Sequence, residues 1–369
     1  MARPPASVLG WLVVLLACLA PSAWGWSIKE HIALTRIAAE LLIADPSTPP
    51  EMREWLVKAN SQNLSLEEEK EWFLHQRVGM VPRNCDGLGF WGCMPDLDKG
   101  SGPRPLEIEP FGVPEAKLHF TDVELFNRDE SKHTYIDDLS HKPELKDFPR
   151  DMKDPRWKQA GMLPFRIEDV YKKMVADLRA KKLYDTDGQY PRDEHAAKWA
   201  GYLAHYLEDN CQPQHATIDY MSRTYFGKQN TRSPNIHFHV EGTIDDDELD
   251  DHMELRTEFV DLFAAALEQV QDPIQTDDLF QATLEVSLKS YDNLPLVGRA
   301  AMAAYHIGGT PDAPTGHPAE KFDADMFYHF KGSVDGQEMT VLEMKARQMA
   351  WGVKRVQRVW RMGWDESMK

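Results

Sequence analysis

Apolar residues recur at spacings of three and four along most of this 369-residue chain, the repeat of a helix with one buried face. The repeat predicts helices over 32–43, 66–78, 167–183, 194–210, 253–270, 277–294 and 338–360. No alternating series of strand type is visible. The stretches 79–118 and 129–165 are rich in Pro, Gly, Asp and Lys and read as long ordered loops over a helical scaffold. No Gly/Ser linker or repeat divides the chain, so the expectation is one all-α domain over 26–369. Residues 1–25 follow another pattern: a single charge at Arg3, an apolar run over 8–20, then small residues at Ala23 and Gly25. That is the order of a signal peptide, with cleavage leaving Trp26 first and the protein exported, secreted or periplasmic. Leu15 to Cys18 also fits a lipobox, so a lipoprotein anchored at Cys18 is the alternative.

The formal net charge is −18, and loss of Arg3 with the leader makes it one unit more negative. Such a balance argues against tight nonspecific duplex binding, which needs many basic phosphate contacts. Cys85 and Cys93 are spaced to close a short disulfide loop in an oxidising compartment, and Cys211 reads as a buried thiol. The predicted helix over 194–210 places Ala197, Ala200, Leu203, Ala204 and Leu207 on one face, with His205 and Asp209 one turn apart. Side chains four apart on a helix have Cβ atoms about 5–6 Å apart, close enough to share one ion. Pro213 stops the helix and turns His215 to a new angle. His237 and Glu241 repeat the four-residue spacing; His239 points about 200° away from His237 and reads as a packing or supporting residue. Imidazole and carboxylate are ordinary zinc donors. The acidic run 245–251 lacks the pattern of a calcium loop and reads as a solvated face. A peptidase is disfavoured because His-Glu-x-x-His is absent.

With these residues assembled, the chain resembles the superfamily that unites bacterial zinc-dependent phospholipases C with single-strand-specific zinc nucleases. The resemblance is ordered from Trp26 to Glu241. Trp26 falls where the family's mature N-terminal Trp binds zinc through its amine and carbonyl, and His31 where the next ligand stands. Pro95-Asp96-Leu97-Asp98-Lys99 looks like a phospholipase segment whose first acid is the ligand, which selects Asp96. Leu118-His119-Phe120 resembles the ligand step of both branches, and His205, Asp209, His215, His237 and Glu241 complete the set. The resemblance implies three zinc ions. One is held by Asp96, His119, His205 and Asp209; a second by Trp26 and His31 with Asp209 bridging; a third by His215, His237 and Glu241. It further implies hydrolysis of a phosphodiester by an activated water, with Asp96 as the group that orients or deprotonates it.

The substrate is open between phospholipid and single-stranded nucleic acid. The Asp96 segment and Glu241 lean towards phospholipase C. The five-residue step from Trp26 to His31 and Gln212-Pro213 lean towards a nuclease. Leu97 stands where a choline-cleaving relative has an aromatic residue, and Glu208 where nucleases have Gly. Phe120 could stack a base, line an acyl groove or belong to the core. A zinc-stabilised binding protein without activity is a third reading. Beyond the ligand-bearing core, 26–300, the extension 301–369 carries a stripe of Leu342, Ala346, Met349, Val353, Val356 and Trp360. Lys345, Lys354, Arg355, Arg358 and Arg361 lie elsewhere on that helix. The stripe reads first as a cap on the core and second as a peripheral membrane contact; no obligate protein partner is evident.

Overall fold

A fully buried helix organises the molecule. In the computed structural model, which describes residues 26–60, 87–98, 110–127, 139–184, 194–227, 234–242 and 253–369, every side chain of Ala196–Asn210 is buried. Its predicted amphipathic face is therefore only part of its packing. Gly201 lets a neighbouring helix approach so closely that a Cβ there would lie 2.2 Å from the Cβ of Trp91.

In chain order the helices are α1 (Ile28–Ala44), α2 (Pro50–Ala59), α3 (Gly87–Asp98), α4 (Trp157–Ala160), α5 (Leu163–Arg179), α6 (Ala196–Asn210), α7 (Ile236–Glu241), α8 (Met253–Gln269), α9 (Leu279–Tyr291), α10 (Leu294–Ala304), α11 (Ala324–Tyr328) and α12 (Val341–Ser367). Two antiparallel hairpins pair β1 (Gly308–Thr310) with β2 (Ala313–Thr315) and β3 (Lys331–Val334) with β4 (Gln337–Thr340). The fold is mostly helical, with these short strands and no closed sheet among the described residues. Helix α6 is wrapped by α1, α3, α5 and α12, and one apolar core runs from Trp26 to Trp364.

Several expectations are corrected. Part of the 79–118 stretch is not loop but α3, a helix that accepts Gly89, Gly92 and Pro95 because it lies tight against α1 and α6. A Cβ on Gly92 would meet Thr35 Oγ1 at 2.4 Å, so the residues that argued for a loop are those the contact requires. The predicted helix over 277–294 is α9, which ends at Asp292 and Asn293, and α10, with Pro295 in its first turn, is a further helix that was not expected. Hairpins occur where no strand was expected, the second turning through Asp335 and Gly336, both at positive φ (51° and 77°). The 139–162 part of the second loop holds short 3-10 turns and α4, as an ordered loop should, and α5 begins at Leu163, inside the expected loop. The expected leader 1–25, the helix over 66–78, Cys85 and the acidic run 245–251 lie outside the described residues. Among the described residues no helix is long and apolar enough to cross a membrane.

Helix α12 is opened by a capping box between Thr340 and Glu343 and packs against α1, α5, α6 and α8. Its predicted stripe is buried throughout. Three of its basic residues are turned onto the protein itself: Arg355 pairs with Asp272 at 2.6 Å, Arg358 reaches the carbonyls of Ile274 and Gln275, and Arg361 donates to Ser47 O.

Candidate metal centre

Helix α6 carries His205 and Asp209 into the interior one turn apart, as their spacing required, and α7 does the same for His237 and Glu241. Asn235 opens α7 by accepting from the Phe238 N–H. Helix α1 supplies His31 and α3 supplies Asp96. The turns around 115–118 and 213–216 present His119 and His215, tied together by a Thr121 N–H bond to the His215 carbonyl. Eight of the nine expected ligand residues thereby fall into three buried groups: His31, Asp96 and His205; His119, His205 and Asp209; and His215, His237 and Glu241. Within each group the ligand atoms lie within 4.8 Å of one another.

Asp209 stands at the junction. Its Oδ1 is 3.3 Å from His31 Nε2, while Oδ2 is 2.8 Å from His119 Nδ1 and 3.2 Å from His205 Nε2. Oδ1 is also 3.7 Å from His215 Nδ1, the approach to the third group. Asp96 faces three histidines, at 3.9 Å from His31, 3.8 Å from His119 and 3.7 Å from His205. In the third group Glu241 Oε1 lies 2.7 Å from His237 Nε2 and 3.6 Å from His215 Nε2, and accepts from Gln212.

The outer nitrogens fix the tautomers. His205 Nδ1 is 2.8 Å from the Gly92 carbonyl and His215 Nδ1 is 2.8 Å from the His119 carbonyl. A carbonyl only accepts, so each Nδ1 holds the proton and each Nε2 turns a lone pair inward. His31 Nδ1 meets Glu208 Oε2 at 2.7 Å, and Glu208 is itself held by the Thr35 hydroxyl at 3.0 Å. The inner His31 Nε2 and Asp209 Oδ1, both buried, have no hydrogen-bond partner although they face each other. Lone pairs directed at carboxylate oxygens repel unless a proton or a cation lies between them. These residues therefore fit a metal: neutral imidazoles oriented by outer acceptors, with carboxylates opposite.

In the metal-free cluster the electrostatics put a proton at His31, where a cation would otherwise offset the carboxylates. Burial opposes charge on His31, but Asp209 and Glu208 outweigh it and push its pKa up to about 10. Burial, then the adjacent His31, pushes His205 down to about 4. Asp209 is held well below the carboxylate range: burial acts against this, and the surrounding His205, His215 and His119 overcome it.

Trp26 is buried, its indole donating to the Glu208 carbonyl at 2.9 Å; the ligand role of its amine requires a chain that starts there. Phe120 is half-buried, with Lys117 Nζ 4.9 Å from its ring centre. His239 joins none of the three groups. It stacks on Phe322 at 3.6 Å and bonds Tyr305 Oη at 2.7 Å. Cys211 is a buried thiol among Ile274, Ala282, Val286 and Trp351, apart from all three groups. Cys93 lies buried with Sγ 3.2 Å from the Phe90 carbonyl. The side chains of Leu97 and Asp98 lie outside the described residues.

Sequence reasoning missed the supports. Glu208 was visible only as a departure from a glycine, and it orients His31. Glu115, four residues before His119, brings Oε1 to 3.5 Å from His119 Nε2 and accepts from Tyr206, which Arg166 in turn contacts at 3.1 Å. Burial opposes ionisation of Glu115, but His119 and Arg166 hold it down at about 2. Its four-residue spacing to His119 was the available signal. Neither the protein-family models, nor the curated proteins, nor the solved structures compared with this chain give a match.

Proposed function

We propose that this chain is an exported zinc-dependent phosphodiester hydrolase of the phospholipase C and single-strand-specific nuclease kind, with a phospholipase C-like reaction as the first reading. The observation that carries it is the inward Nε2 atoms of His31 and His205 facing the two oxygens of the shared Asp209 carboxylate. Three groups of N and O donors, with no thiolate among them, suit zinc. Zinc supplies a bound water acidified to a pKa of about 7 and polarises phosphoryl oxygens.

The chain's own residues do the rest. Asp209 joins the first two groups and points towards the third. Asp96, facing three imidazoles, is the carboxylate placed to orient water and take its proton. Phe120, half-buried beside His119, offers an apolar face to an acyl-glycerol or to a base. That half-buried ring is the observation favouring the nuclease alternative, since base stacking contributes about 1–3 kcal/mol. An inactive zinc-stabilised binding protein is the third reading. Membrane contact through α12 is not part of the proposal, because Arg355, Arg358 and Arg361 are engaged by the protein itself.

The test combines metal analysis of the purified protein, sequencing of its N-terminus, and parallel assays. The substrates are bis(p-nitrophenyl) phosphate, phospholipid vesicles and single-stranded DNA and RNA. Three zinc ions, a start at Trp26 and diacylglycerol release are expected. Nucleic-acid cleavage without diacylglycerol, impaired more by Phe120→Ala than hydrolysis of the small diester, reverses the substrate ranking. Zinc without any hydrolysis leaves the binding protein.

A further inference from the structure

The geometry points to Lys345, on the last helix, as a positioning residue that locks the third ligand group to the first two; this rests on the metal reading above. Lys345 is fully buried, and an ammonium that gives up water must find acceptors for its three donors. The Val240 and Glu241 carbonyls accept from it at 2.8 and 2.9 Å, and the Glu30 carboxylate forms an ion pair with it, Oε1 lying 2.6 Å from Nζ. The Trp26 and Phe259 rings lie 5.6 and 5.5 Å from Nζ and close the space around it.

Those acceptors belong to two ligand-bearing elements. Glu30 precedes His31 and closes the capping box that starts α1. Val240 and Glu241 end α7, where unsatisfied carbonyls and the negative pole of the helix favour a cation. One side chain therefore ties the turn that carries His31 to the backbone of Glu241, a candidate ligand of the third group. A residue that touches no metal but fixes the separation of ligand groups resembles, in its effect, an outer support of a metal site, whose loss costs about 10- to 100-fold in affinity.

Two variants separate positioning from simple stability. Lys345→Met removes the clamp but leaves the Glu30 carboxylate buried without its cation, so it should lose both stability and metal. Lys345→Met with Glu30→Gln removes that charge while keeping an acceptor for the Ser27 N–H. Thermal unfolding of the metal-free protein should recover in the double variant. Zinc retained after dialysis against buffered free zinc should not: one equivalent should bind about 10- to 100-fold more weakly than in the wild type, the others unchanged. If zinc binding recovers together with stability, or Lys345→Met alone binds zinc like the wild type, the inference is overturned. A wild-type chain that takes up no metal overturns the metal reading, and this inference with it.

Discussion

Glu208→Gln should weaken metal binding although Glu208 touches no metal. In the folded protein its Oε2 accepts from His31 Nδ1 at 2.7 Å and its Oε1 accepts from Thr35 Oγ1 at 3.0 Å. Glutamine fills the same volume but carries an N–H₂ in place of one oxygen. If that group faces His31, Nδ1 must accept, and the proton moves to Nε2, the nitrogen needed inside the cluster. If the amide turns round, the Thr35 hydroxyl meets a donor and has to find another acceptor. Either way the charge is lost. The rise of His31 from 6.5 to about 10 corresponds to about 5 kcal/mol of net attraction, divided between Asp209 and Glu208. Removing Glu208 removes part of that attraction, and the metal-free variant should melt lower at neutral pH. Two effects then oppose each other in metal binding. A weaker hold on the His31 proton eases its displacement, while a weaker field attracts the metal less. A divalent ion carries twice the charge of the proton it displaces at the same nitrogen, so the second effect is larger. The net loss should be about 10- to 100-fold, read by competition with a chromogenic chelator. Unchanged zinc affinity together with an unchanged melting temperature would refute the assignment of Glu208 as the support of His31.

Asp209→Asn should remove more metal than His31→Ala, because Asp209 faces ligands of two groups with its two oxygens and His31 presents one inner nitrogen. Elemental analysis should show more than one equivalent lost in the first variant and about one in the second, with diester hydrolysis falling in step; an Asp209→Asn protein with full zinc and full activity would mean the junction is misassigned. Burial, opposed by bonds from Thr217 and Ile218, raises the carboxyl of Glu124 from 4.5 to about 7. The folded protein thus binds this proton more tightly than the unfolded chain, and stability should fall by up to about 3 kcal/mol as pH rises from about 4.5 to about 7, then level off. Urea titrations of Glu124→Gln should lack that slope, and parallel pH profiles for variant and wild type would count against it.

What the sequence exposed and what it hid divide by range of contact. His205 with Asp209, and His237 with Glu241, are local pairs whose geometry follows from helical rise alone, so they were legible once a helix was predicted. Glu115, equally local, was passed over because it lies in a turn, where a four-residue spacing carries no fixed direction. The Gly92 carbonyl meets His205 113 residues away, and Lys345 meets Val240 105 residues away and Glu30 still farther, and no spacing rule encodes such contacts. Helix α3 was hidden for a related reason: Gly89 and Gly92 lower its intrinsic propensity, and only the close approach of α1 and α6 repays that cost. The β3–β4 turn was readable in Asp335-Gly336, but strands of four residues are too short to show alternation. Helix α6 shows what could have been used more fully. Its apolar positions were read as one face, yet Lys198, His205, Glu208, Asp209 and Asn210 are as buried as they are. Polar side chains on a helix whose remaining residues are Ala, Gly, Leu, Trp and Tyr have no open solvent face to occupy, and burial is costly unless each finds a partner. A polar interruption late in such a helix therefore marks a place where several elements must converge to satisfy it, and at Glu208 and Asp209 that convergence is the ligand cluster itself.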